Sequence, residues 1–203
     1  MAGMNETPRG NRIHIAFFGL RNVAKTLVPS KNSEDGLIAE LKKRLPVDRV
    51  EILETCDQLV AALAETEKAL HRFFMKIGKR LSKVKNNKDF TFTNGVAADF
   101  DADPSAFLEQ FANARGIADK LIASVSGIAS VGGIVNDLVG RFTELTRFVA
   151  DFEFVTKAGR ADWVFYMEEP FNPHTIKIHA CPLHSGNIWK GKFYPWIKSA
   201  TFT

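Results

Sequence analysis

Three places in the sequence gather residue types that could do chemistry. The first is Phe18-Gly19-Leu20-Arg21-Asn22-Val23-Ala24-Lys25-Thr26, which approaches the phosphate-binding pattern G-x-x-x-x-G-K-[ST] behind an apolar run. Ala24 stands where that loop needs its second glycine, so a Cβ would intrude where backbone must wrap a phosphate. Pro29 then interrupts the helix that should carry the motif. A degenerate nucleotide-binding loop around Lys25 therefore ranks last among the functional readings. The second place holds His174, His179, Cys181 and His184, donors that zinc favours. Their spacing matches no standard finger, and strand alternation puts His179 and Cys181 on one side and His174 on the other. In the third, Asp99, Asp101 and Asp103 alternate as a calcium loop begins, with Pro104 where that loop requires glycine. Asp103 reads better as a helix cap. The sequence contains no G-x-S-x-G, H-E-x-x-H or paired C-x-x-C, and Glu168 and Glu169 would point to opposite faces of a strand. No catalytic residue, metal or cofactor is assigned, and binding ranks above catalysis.

The elements that must position such residues follow from composition and periodicity. The chain has 203 residues, 45% hydrophobic and 25% charged, enough to bury a core and too polar for a polytopic membrane protein. Two cysteines, Cys56 and Cys181, rule out a dense disulfide framework. Residues 1–12 lack an apolar run and read as a flexible tail and not as a secretory signal, so synthesis in the cytoplasm is expected. Ile13 to Gly19 reads as a buried strand, 28–36 as a loop and Leu37 to Leu45 as a short helix stopping before Pro46. Thr55 and Gln58 have capping-box spacing ahead of an apolar stripe from Leu59 through Phe73, Phe74, Ile77 and Leu81 to Val84. Phe90 to Thr93 predicts a strand and turn. Asp103-Pro104 predicts the start of a helix whose stripe runs from Phe107 to Val149. Phe152–Thr156, Trp163–Met167, Thr175–Ala180 and Ile188–Phe193 are β-type runs. The expected class is α+β: a mainly helical region over 13–150, with an N-terminal strand and central amphipathic helices, and a β-rich aromatic region over 151–203.

Charge is unevenly placed along that frame. No acidic residue lies between Glu67 and Asp89, while Lys68, Arg72, Lys76, Lys79, Arg80 and Lys83 advance by threes and fours. They share a helix face opposite Phe73, Phe74, Ile77 and Leu81. Such a face can gather anionic lipid or neutralise nucleic-acid phosphates, with lipid ranked well above nucleic acid, or can simply be solvated. All three tryptophans and both tyrosines fall in the last part of the chain, with Trp189, Tyr194 and Trp196 interleaved with lysines. Rings of this kind anchor at lipid head groups or fill a small sheet.

Residues 121–136 carry no charge, yet are fewer than the roughly 20 a spanning helix needs. Leu121, Ile122, Val125, Ile128, Val131, Ile134, Val135, Leu138 and Val139 form one face; Ala123, Ser124, Ser126, Gly127, Ser130 and Gly133 form the other. Small residues four apart let two helices approach closely. In composition the stretch resembles the small-residue-rich hydrophobic helices of α-helical pore-forming and cell-death proteins, and distantly those of apolipoprotein L. That resemblance implies a segment buried in one form and released to insert into a bilayer, carried by Leu121, Val125, Gly127, Ile128, Ser130, Gly133 and Val135.

The expectation is a membrane-active binding protein of pore-forming type, drawn to anionic membrane by the basic helix and associating with it on activation. The alternative is a protein-interaction or structural subunit that forms homo-oligomers through the small-residue helix and meets a protein partner through its aromatic lobe.

Overall fold

The computed structural model describes residues 13–28, 36–46, 48–81, 89–160, 162–168 and 175–183. The element order is β1 (Ile13–Ala16), α1 (Phe17–Leu27), α2 (Leu37–Arg44), α3 (Val50–Leu81), β2 (Asp89–Phe92), α4 (Val96–Phe100), α5 (Ser105–Val125), a 3-10 turn (Ala129–Val131), α6 (Gly132–Lys157), β3 (Trp163–Glu168) and β4 (Lys177–Pro182). The fold is α+β, mostly helical with one small antiparallel sheet in the order β1-β4-β3-β2.

Period-two alternation builds the sheet. Ile13 and Ile15 of β1, Phe165 and Met167 of β3, and Ile178 and Ala180 of β4 turn to the helices and are buried. Register places Ile15 opposite Ile178 and Met167 opposite Ile178, so the apolar side chains stack across three strands. Strands from both sides of the helical middle join this sheet, since β1 pairs with β4 and β2 with β3.

The helical layer is held by phenylalanines. Phe17 of α1 meets Phe74 of α3, Phe74 meets Phe73, and Phe73 meets Phe152 of α6 at 4.9 Å. Phe152 in turn meets Phe107 of α5 at 4.6 Å. These edge-to-face contacts are worth about 0.5–1.5 kcal/mol each beyond the area they bury. Phe107 facing Phe152, and Arg115 donating from Nη1 to Thr146 Oγ1, make α5 and α6 antiparallel.

Five local expectations are corrected. Phe17-Phe18-Gly19 belong to α1 and not to the first strand, because Phe17, Leu20, Ala24 and Leu27 bury at helical spacing, and that burial outweighs the helix-weakening Gly19 between them. α3 begins at Val50, so Thr55 is inside it, its hydroxyl donating to the Glu51 carbonyl instead of capping. The long helix expected from Phe107 to Val149 is two helices broken at 126–131, where Ser126 and Gly127 form a turn. Phe152–Thr156 is helical, since Phe152, Val155 and Thr156 continue the buried stripe of Leu138, Phe142 and Leu145. Ala158 at φ 45 and Gly159 at φ 78 then end α6. Finally, Val139 lies off the buried face and is 43% exposed. The strand Ile188–Phe193 lies outside the described residues.

One glycine is fixed by geometry. Gly95 has φ +93, and a Cβ there would lie 2.8 Å from the Lys157 carbonyl oxygen, so it lets the β2–α4 turn rest against the end of α6.

Candidate functional site

Of the basic residues, Lys68, Arg72, Lys76, Lys79 and Arg80 are all exposed along the C-terminal half of α3. The opposite face of the same helix, from Leu59 through Leu70, Phe73, Phe74 and Ile77 to Leu81, is buried in the core. The helix therefore presents its cations outward and cannot lay its apolar face on anything else without unpacking. Glu65 holds Lys68 at 2.7 Å, and the hydrogen bond from Lys68 lowers the carboxyl pKa of Glu65 below its ordinary value. Beside the ridge, at the start of α5, Asp103 accepts from the backbone and hydroxyl of Ser105, which lowers its carboxyl pKa, with a smaller contribution from the Lys76 charge. Lys83, Trp189, Tyr194 and Trp196 lie outside the described residues.

The 121–136 segment divides as its pattern implies, with one change. Leu121, Val125 and Val135 are buried and Ile128 is half-buried, while Gly127, Ser130 and Gly133 are exposed. A methyl group added at Gly127, Gly132 or Gly133 would meet nothing within 4 Å. Among the described residues no second helix packs against those three glycines. Gly133→Ala is thus expected to leave packing intact and to stabilise the fold by up to about 1 kcal/mol through helix propensity, measured by urea denaturation. Destabilisation by that change would mean the small face is covered.

The phosphate-loop expectation fails. Residues 19–26 are a continuous helical stretch of α1, Gly19 lies against the Phe148 ring, and Lys25 is exposed on a helix with no loop to cradle an anion.

On the outer face of the sheet, strand register collects groups that are distant in sequence. His14 of β1 and Tyr166 of β3 both lie opposite His179 of β4. His179 is 3% exposed, its ring stacks on Tyr166 at 4.8 Å, and its Nε2 lies 3.1 Å from Glu168 Oε2. Cys181 sits on the same face, its sulfur 3.9 Å from the Tyr166 hydroxyl. Tyr166 thus joins the two, stacking on the His179 ring while its hydroxyl meets the Cys181 sulfur, and Glu168 closes the polar cluster at His179 Nε2. His174 and His184 lie outside the described residues, and among the described ones no group of three or more His, Cys, Asp or Glu could hold a metal ion. Burial pushes the Cys56 thiol up to about 11, which makes it a core residue without thiolate chemistry. A recess of about 440 Å³ opens where β2 and β3 meet the end of α6, walled by Phe92, Trp163, Phe165 and Leu183 with Arg160 beside them.

Two exposed side chains were not singled out by the sequence reading. Phe18 of α1 is 41% exposed and Met75 of α3 is 42% exposed. Met75 could have been found, because helical spacing alone sets it four residues after His71 and four before Lys79, on the basic side.

Among the described residues no helix is long and apolar enough to cross a membrane. Comparison with known proteins finds no matching family model, no matching curated protein and no matching solved structure. The reading of function therefore rests on the fold and on the ridge.

Proposed function

We propose that the protein binds anionic membrane surfaces while folded, through the basic ridge of α3. The observation that carries this reading is the placement of Lys68, Arg72, Lys76, Lys79 and Arg80 on the exposed half of a helix whose other half is core. Favourable interaction with the helix dipole reaches only the last turn, which accounts for Lys79 and Arg80. Arg72 and Lys76 stand further back, beyond the reach of the dipole. Each basic side chain near an anionic surface contributes about 1 kcal/mol, so the four other than Lys68, whose charge Glu65 offsets, hold a folded protein on a bilayer without insertion.

Insertion of the 121–136 segment is assigned to a separate, activated state. Leu121, Val125, Val131, Ile134 and Val135 are buried, and exposing five such side chains at about 2 kcal/mol each costs on the order of 10 kcal/mol. That is comparable to the whole stability of an ordinary domain. Attachment requires none of it.

The test is cosedimentation of the full chain with vesicles of phosphatidylcholine alone or mixed with phosphatidylserine, each loaded with a self-quenched dye. The expected result is binding only to the serine-containing vesicles, with the dye retained. Equal recovery with both vesicle types contradicts the reading, and dye release on binding moves the inserted segment into the attachment step.

A further inference from the structure

The ridge is bordered on one side by apolar groups, and the way α1 packs on α3 determines which. Phe17 meets His71 at 5.5 Å between ring centres, and Arg21 Nε lies 3.1 Å from Glu67 Oε1. As α1 advances by one turn its partner on α3 moves back by one turn, so the helices run antiparallel and α1 starts at the level of His71. Phe18 is the next residue along, its ring edge-on to Phe17 at 5.6 Å. On α3, Met75 lies one turn beyond His71 and about 40° round the helix from it, while Lys68, Lys79 and Arg72 follow at about 60°, 80° and 100°. Going round α3 from the α1 side, the order is therefore His71, Met75, then the cations.

Phe18 and Met75 are two of the few large apolar side chains exposed in the described fold. Exposed apolar residues scattered singly need no explanation; two that both lie within about a turn of His71 along the packing of α1 on α3, beside a row of cations, form a patch. Their character also fits one partner. A phenyl ring and a flexible thioether enter the boundary between head groups and acyl chains, while lysine and arginine stems extend alongside and keep their charges at the phosphates. A protein partner would have to match the ridge with a row of carboxylates, whereas an anionic bilayer supplies the negative surface and the apolar depth together.

We infer that Phe18 and Met75 are a shallow apolar wedge that enters the interface of an anionic bilayer when the ridge docks, which sets the face of the molecule that meets the membrane. The inference rests on the attachment reading above and adds depth and orientation to it. The contact leaves the core intact, because both side chains are already partly exposed in the fold.

The test places a nitrobenzoxadiazole fluorophore on Phe18→Cys in a Cys181→Ser background, Cys56 being buried in the folded chain. With vesicles of phosphatidylcholine and phosphatidylserine the expected result is a blue-shifted, brighter emission that lipids carrying a shallow spin label quench. The unlabelled pair Phe18→Ser with Met75→Ser is expected to weaken partitioning roughly tenfold, the scale of losing two partly inserted apolar side chains, without altering its response to salt. Bound protein whose fluorophore stays in water, together with unchanged partitioning of the serine pair, overturns the wedge and leaves attachment standing. Absence of any binding overturns both.

Discussion

Replacing Phe152 with alanine is expected to lower the unfolding free energy by about 3–5 kcal/mol, read from urea denaturation followed by circular dichroism. Phe152 is fully buried and is the point where three helices meet, touching Phe73 of α3 and Phe107 of α5 from its place on α6. Truncation removes the transfer free energy of the ring, breaks two edge-to-face contacts and leaves a cavity between helices too rigidly packed to collapse into it. A domain of ordinary stability would lose a third or more of its total. Phe152→Leu, which keeps most of the volume, is expected to cost far less. A loss below about 1 kcal/mol for the alanine variant would mean that α6 is not seated where the rings place it.

The second large effect concerns charge. Changing Arg72, Lys76 and Arg80 together to glutamate is expected to weaken partitioning onto phosphatidylserine vesicles by at least about 100-fold. Removing three cations forfeits about 3 kcal/mol at about 1 kcal/mol each, and the new carboxylates add repulsion. The three side chains are exposed and outside the core, so the melting transition is expected to fall only modestly, chiefly through the charge reversed at Arg80 in the last turn of α3. Partitioning measured on vesicles and melting measured in solution thus separate a lost surface from a lost fold. A variant that melts normally and still binds normally would remove the ridge from function.

What the sequence made legible was periodic and locally self-consistent. The stripe of α3 and its basic side could be read because apolar and cationic residues alternate at steps of three and four over many turns. The strands at Trp163 and Lys177 were legible from β-branched and aromatic alternation between breakers. Short runs of aromatic and β-branched residues were ambiguous, since they satisfy a buried strand or a buried helix equally well. That is why local pattern alone reads Phe17-Phe18 at the start of α1 and Phe152–Thr156 near the end of α6 as strands: their helical state is decided by partners such as Phe74 and Phe107, far away in sequence. The break between α5 and α6 has a local signal in Ser126-Gly127, outweighed by an apolar stripe that keeps its phase across the turn. The outer-face cluster was half visible. His179 and Cys181 share a strand, whereas His14, Tyr166 and Glu168 join them only through register. Phe18 is apolar within an apolar run, and nothing short of the packing of α1 on α3 distinguishes its exposed ring from the buried one beside it.

The small-residue stretch illustrates a different point. Its composition suggested helices in close approach, and in the folded chain its apolar side is core while Gly127, Gly132 and Gly133 face open space. The two sides belong to different surroundings, the first to the core shared with α1, α2 and α3, the second to none of the described residues within reach of a methyl group.

The attachment itself is tested most directly by salt. Vesicles of phosphatidylserine and phosphatidylcholine carrying bound protein at 0.1 M salt are brought to 1 M, which shortens the screening length from about 10 Å to about 3 Å. Recovery of most of the protein in solution, still folded, is the expected result. Protein that stays on the vesicles undiminished would mean that something other than the cations of α3 holds it there.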